Sequence, residues 1–222
     1  MVQTDIYEDL KIGVGRFTLP GELEIPNHAT SLVLFSHGSG SSRLSPRNQF
    51  VAKSLRNAGI GTFLFDLLAP EEDSLRTRFN IHLLTERLVY ITEWILEKEY
   101  VKDLGLGYFG ASTGAASALN AAAKFGRKVQ AVVSRGGRPD LAMPLLNNVT
   151  AATLLIVGSL DTEVLEVNEQ AFEKLHQPKD LVVVPGATHL FEEKGKLEEV
   201  ASHAAAWFSR YLSEHNGHAL GQ

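Results

Sequence analysis

From residue 31 onward the chain alternates short apolar runs with longer stretches whose apolar residues return every three or four positions. The runs cover 31–35, 61–66, 104–109, 129–134, 152–157 and 181–184. They are strand-sized and almost without polar interruption, as expected of strands covered on both faces. Between them lie helical patterns: Phe50, Val51 and Leu55 after a Ser45 cap and Pro46; then Ile81, Leu84, Leu88, Ile91 and Ile95, with Trp94 on the same stripe. An Ala-rich segment follows position 112. Val164, Val167, Ala171, Phe172 and Leu175 form the next stripe, and Val200, Ala204, Trp207, Phe208 and Leu212 the last. The tail from Ser213 is polar and is expected to fray.

Such alternation predicts an α/β fold: a mainly parallel central sheet with helices on both faces. Ahead of it, segments 7–14 and 16–25, punctuated by Gly13, Gly15 and Gly21, predict antiparallel strands at one sheet edge. The loop 67–80, its acidic run Glu71–Glu72–Asp73 and the basic residues Arg76, Arg78 and Arg87 read as a solvated face.

With 222 residues, 44% hydrophobic and 21% charged, the chain fits a single domain over 1–222. A net charge of −5 without a Lys/Arg cluster makes nucleic acid a poor partner. The polar, acidic start is unlike a secretory signal and no apolar run is bilayer-length, so a cytoplasmic chain with no membrane partner is expected. There are no cysteines, so a nucleophile would have to be a hydroxyl, amine or carboxylate. Oligomeric state has no sequence signal.

The chemistry gathers where strands end. Gly110–Ala111–Ser112–Thr113–Gly114 is G-x-S-x-G between a predicted strand and a predicted helix, a setting in which a sharp turn lifts the serine hydroxyl above the sheet. Asp161 and His189 close two later strands, in the order nucleophile, acid, histidine. Together they could form a Ser-His-Asp triad, with His189 as base and Asp161 holding its tautomer. The loop Gly38–Ser39–Gly40 follows an earlier strand, and the N–H groups of Ser39 and Thr113 could receive an oxyanion, with Gly38 and Gly40 approaching the substrate. Arg135 and Arg138 follow another strand end and could bind an anionic substrate group. Only about a dozen and a half residues follow before the next strand, too few for a lid. This scheme requires neither metal nor cofactor.

Each residue also has a plain structural reading. Asp161 could be a helix cap, His189 and His37 loop histidines, and the arginines partners of Asp140. The same residues would serve acyl transfer to a nucleophile other than water, and the fold would also carry a non-catalytic binding protein.

Through His37–Gly38–Ser39–Gly40, the Ser112 pentapeptide, Gly158–Ser159–Leu160–Asp161 and Gly186–Ala187–Thr188–His189, nearly the whole chain resembles the α/β-hydrolases. Within them it is similar to the small, lidless dienelactone-hydrolase-like group. The resemblance implies hydrolysis of carboxylic esters, lactones or thioesters through an acyl-enzyme on a small-molecule substrate. True dienelactone hydrolases have a cysteine where this chain has Ser112. Similar domains occur fused to phosphoribosyltransferases, but no part of these residues resembles that second domain.

Overall fold

Val33, Leu34 and Phe35 show how the apolar runs work. They lie on one strand, all buried, and they face alternately to opposite sides of the sheet. Leu34 joins Tyr108, Val132 and Leu155 on one face, whereas Val33 and Phe35 join Phe109, Val133 and Ile156 on the other. A strand with two cores to serve has no polar alternation, which is why these runs read as continuous.

The computed structural model describes residues 5–176 and 178–212; the expected fraying from Ser213 lies outside them. It shows eight strands: β1 (Ile6–Val14), β2 (Phe17–Ile25), β3 (Ser31–Ser36), β4 (Gly61–Phe65), β5 (Gly105–Ala111), β6 (Val129–Arg135), β7 (Ala152–Gly158) and β8 (Lys179–Val184). Their spatial order is β1-β2-β4-β3-β5-β6-β7-β8. β1 and β2 are antiparallel to each other, β2 is antiparallel to β4, and all later pairings are parallel. Parallel strands direct their carboxyl ends to one rim, so the strand-closing motifs from β3 to β8 share an edge.

Among the described residues there are six α-helices, α1 (Pro46–Asn57), α2 (Leu75–Arg78), α3 (Ile81–Leu96), α4 (Thr113–Phe125), α5 (Thr162–Lys174) and α6 (Lys196–Tyr211), and all but the short α2 bury side chains in the layers on the sheet. α1 begins as its sequence predicts, with Pro46 in the first turn and the Ser45 side chain accepting the Asn48 N–H. α1 and α6 bury Val51, Leu55, Val200, Ala204 and Phe208 on one face. α3, α4 and α5 bury Leu88, Ile91, Ala118, Leu119 and Ala171 on the other. Burying one such Leu, Val or Phe contributes roughly 1.5–3 kcal/mol, so the helix stripes hold the layers together. Among the described residues no helix is long and apolar enough to cross a membrane.

Three local readings change. Arg87 does not belong to a solvated face: it is buried, and its Nη2 donates to the Glu72 carboxylate at 2.8 Å. A charge run shows solvation only on average, and here a carboxylate from the preceding loop supplies the partner that burial demands. The loop 67–80 contains α2, closed by a capping box between Ser74 and Thr77. In α5 the buried residues are Asn168 and Ala171, while Val164 and Val167 are half-buried. Asn168 is inside because its side-chain amide donates to the Gly137 and Val164 carbonyls at 2.9 and 2.7 Å. The link from β6 to β7 holds a 3-10 segment, Pro139–Asn148, that packs on α4 and α5 and forms no lid domain.

Candidate active site

Ser112 stands between β5 and α4 with φ 51° and ψ −123°, backbone angles that a residue with a side chain rarely adopts. Such strain costs on the order of 1–3 kcal/mol and persists only where the surroundings enforce it. The flanking glycines allow it: a Cβ on Gly110 would run into the Ala115 backbone, and one on Gly114 into the Ser36 carbonyl. Gly38 presses from the other side, where a Cβ would stand 3.1 Å from both the Ala111 carbonyl oxygen and Ser112 Cβ. The Ser112 side chain caps no helix N–H, and its hydroxyl makes no hydrogen bond among the described residues.

Asp161 precedes α5 at the capping position, yet its side chain caps nothing there. Its Oδ2 instead accepts the His189 Nδ1–H at 2.6 Å. A carboxylate can only accept, so this bond places a proton on Nδ1, and in the neutral ring Nε2 then carries the lone pair. The imidazole is 38% exposed and the carboxylate 15%, so the histidine stays reachable from solvent while its partner is shielded. His189 lies beside the β6 end: a Cβ on Gly136 would be 3.4 Å from its Nδ1. Ser112 lies beside the same end, its N–H donating to the Arg135 carbonyl at 3.2 Å and its carbonyl accepting the Arg138 N–H at 3.1 Å. The three strand-closing residues therefore share one rim around Gly136.

On the opposite side of Ser112, the Ser39 N–H donates to Thr113 Oγ1 at 2.9 Å. Thr113 opens α4, so its own N–H is among those with no partner inside the helix. The Ser39 N–H expected from the sequence as a donor is thus bonded to the side chain of Thr113, the residue expected to supply the second. His37 holds this loop from behind: buried Nε2 accepts the Leu67 N–H at 3.0 Å, and Nδ1 donates to the Gly38 carbonyl at 3.0 Å. Burial pushes its pKa below the ordinary histidine value, outweighing the bond to Gly38 and the nearby carboxylates Asp66 and Asp73. A cavity of about 180 Å³ opens beside Gly38, Ser39 and Gly40, lined both by the apolar Leu68 and Leu84 and by the charged Asp66, Asp73 and Arg78.

The arginines separate. Arg138 is held by Asp140 in a two-point ion pair of 2.8 and 2.7 Å, the structural arrangement the sequence also allowed. Arg135 has no such partner. Its Nε and Nη1 are buried without a hydrogen bond.

Sequence reasoning missed Glu193, whose carboxylate accepts the Thr188 hydroxyl at 2.6 Å and the Thr188 N–H at 3.2 Å, bracing the residue before His189. These bonds hold the Glu193 carboxyl below its usual range. It also missed Arg47, which reaches Glu192 in the same loop at 3.0 Å. Neither carries a periodic or motif signal.

No family model matches the chain. Among solved structures it is 52% identical to a dienelactone hydrolase from Anabaena variabilis, over 94% of this chain and 99% of that one, with a TM-score of 0.90. It is 50% identical over 206 residues to a Mycobacterium tuberculosis protein named as a candidate phosphoribosyl transferase, over 92% of this chain and 46% of that protein. The chain thus spans about half the length of the curated relatives it matches. The Pyrococcus furiosus esterase Pf2001 shares the fold at 19% identity and a TM-score of 0.75, over 93% of this chain and 92% of that one.

Proposed function

We propose that this chain, which belongs to the dienelactone-hydrolase-like group of the α/β-hydrolases, is a serine hydrolase that cleaves carboxylic esters, lactones or thioesters through an acyl-enzyme. The observation that carries the reading is Asp161: it leaves the α5 N-terminus uncapped and bonds His189 instead.

The chemistry follows from that bond. His189 Nε2, left with its lone pair, takes the proton from the Ser112 hydroxyl as the oxygen attacks the substrate carbonyl. Asp161 stabilises the imidazolium that results. The oxyanion receives the Thr113 N–H and draws the Ser39 N–H from Thr113 Oγ1, each donor contributing roughly 3–4 kcal/mol to the barrier reduction. His189 then returns its proton to the leaving alcohol or thiol, and a water deprotonated by the same nitrogen resolves the acyl-enzyme. The cavity beside Ser39 offers space for a small substrate group.

Dienelactone cleavage is the activity named for the Anabaena variabilis protein, and phosphoribosyl transfer the one named for the longer mycobacterial proteins. A hydroxyl, an imidazole and a carboxylate on one rim support acyl chemistry for this chain. Turnover of small activated esters by the parent and by Ser112→Ala tests it: the variant is expected to lose activity by at least a thousandfold with an unchanged melting temperature. Retained turnover within a few-fold would remove Ser112 from the reaction.

A further inference from the structure

Thr113 opens α4 with a buried side chain whose proton has no acceptor. The residue is 3% exposed, and its Oγ1 accepts the Ser39 N–H at 2.9 Å. A hydroxyl carries one donor besides its acceptor lone pairs. Threonines inside helices use that donor on the carbonyl four residues back, as Thr85 does on Ile81 and Thr92 on Leu88, both at 2.7 Å. At the first position of α4 no preceding turn supplies such a carbonyl. Among the described residues the Thr113 hydroxyl donates to no acceptor. A buried donor in this state calls for a partner that arrives later.

The surroundings fix where that partner would stand. Gly114 lies so close to the end of β3 that a Cβ there would run into the Ser36 and His37 carbonyls, which presses the first turn of α4 against the loop 37–40. His37, bonded to Leu67 and Gly38, holds that loop from its other side. A Cβ on Gly38 would in turn stand 3.1 Å from Ser112 Cβ. The Ser39 N–H, the Thr113 N–H and the Thr113 O–H therefore gather next to Ser112. An oxygen that replaces Thr113 Oγ1 as acceptor of the Ser39 N–H has to sit beside that hydroxyl, within reach of its proton.

We propose that the Thr113 hydroxyl is a side-chain donor of the oxyanion hole, acting beside the two backbone N–H groups, an assignment that rests on the hydrolase reading. In the resting enzyme Oγ1 stands in for the oxyanion as an acceptor, so the Ser39 N–H is not left unpaired. As Ser112 attacks, the substrate carbonyl oxygen gains the electron pair of its π bond and takes the Ser39 N–H. The hydroxyl, released as an acceptor, turns its own proton to the same oxygen. It keeps that proton throughout, and the bond is released when the intermediate collapses and the carbonyl re-forms. Because the bond strengthens only as charge develops, it lowers the barrier and leaves ground-state binding almost untouched.

Thr113→Val keeps the shape and both backbone donors but removes the hydroxyl, whereas Thr113→Ser retains it. With a small activated ester, Thr113→Val is expected to lower kcat about a hundredfold with KM within a few-fold of the parent, and Thr113→Ser to stay close to the parent in both. Thr113→Ala repeats the deletion if the valine disturbs folding. A hydroxyl that merely competes for the Ser39 N–H predicts the opposite, since its removal frees that donor. A kcat in Thr113→Val equal to or above the parent's therefore overturns the proposal. So does an equal loss in Thr113→Ser, which would place the effect in packing.

The second test reads the oxyanion itself. A trifluoromethyl ketone labelled with carbon-13 at its carbonyl adds to an active serine as a hemiketal, whose ionisation is followed by NMR against pH. The Thr113→Val adduct is expected to ionise about two pH units above that of the parent, the same hundredfold expressed as acidity. Coincident titrations overturn the hydroxyl's role and leave the hydrolase reading standing. A parent chain that forms no hemiketal overturns that reading and the hydroxyl's role with it.

Discussion

Asp161 Oδ2 and His189 Nδ1 are 2.6 Å apart, and the carboxylate makes that bond while standing where it could have capped α5. A capping bond typically stabilises by about 1 kcal/mol, so the fold forgoes a contribution that an aspartate at this position usually supplies. At this residue the carboxylate's bond goes to the histidine and not to the helix.

Replacing Asp161 by Asn keeps the size and removes the charge. The amide can donate to the imidazole, which favours the tautomer with its proton on Nε2 and removes the base that Ser112 needs. Turnover is expected to fall by about 10³–10⁴-fold with the melting temperature little changed, as when the same tautomer is lost in a serine-protease triad. Steady-state kinetics beside thermal melting checks it. A loss below tenfold would make the Asp161–His189 bond structural.

Glu193 predicts a different signature. Its carboxylate braces Thr188 from the backbone and from the hydroxyl, so it acts on His189 only through the loop. Glu193→Ala should lower kcat on the order of ten- to a hundredfold by misplacing the imidazole. Glu193→Gln, which keeps one acceptor for Thr188, should recover part of that loss. Identical kinetics in both variants and the parent would show that the loop holds its shape unaided.

His37 gives the pH dependence. Nε2 must stay unprotonated to accept the Leu67 N–H, and burial lowers its pKa below 6.5. The unfolded chain therefore binds this proton more readily than the folded one. The His37 contribution to stability is full above about pH 6.5 and is lost as pH falls through the lower folded value. Melting temperatures between pH 5 and 8 should decline on the acid side, and His37→Gln should flatten that decline. An unchanged slope in the variant would assign the acid sensitivity to other groups.

What the sequence carried and what it did not divide along a physical line. The nearness of Ser112, Asp161 and His189 to one rim was legible because Ser112 and Asp161 follow buried strands, His189 follows the edge strand β8, and parallel strands deliver their ends to a common edge. Strand and helix positions were equally plain, since the apolar runs of β3 to β7 and the stripes of α3 and α6 are local patterns. The Arg47–Glu192 contact spans 145 positions, and no periodicity links such a pair. Arg87 shows the same limit, because only the fold reveals that Glu72 meets it. The segment Pro139–Asn148 gave no helical stripe: Pro144 interrupts it, and it settles into a 3-10 form.

The central claim is that Ser112 is an activated nucleophile. A fluorophosphonate probe reads this directly, because it forms a covalent bond only with a serine whose proton is being withdrawn. Intact mass spectrometry followed by peptide mapping should find one adduct, on Ser112. It should be absent in Ser112→Ala and formed far more slowly in His189→Ala. An unlabelled parent chain, or an adduct mapping to a different residue, would contradict the account.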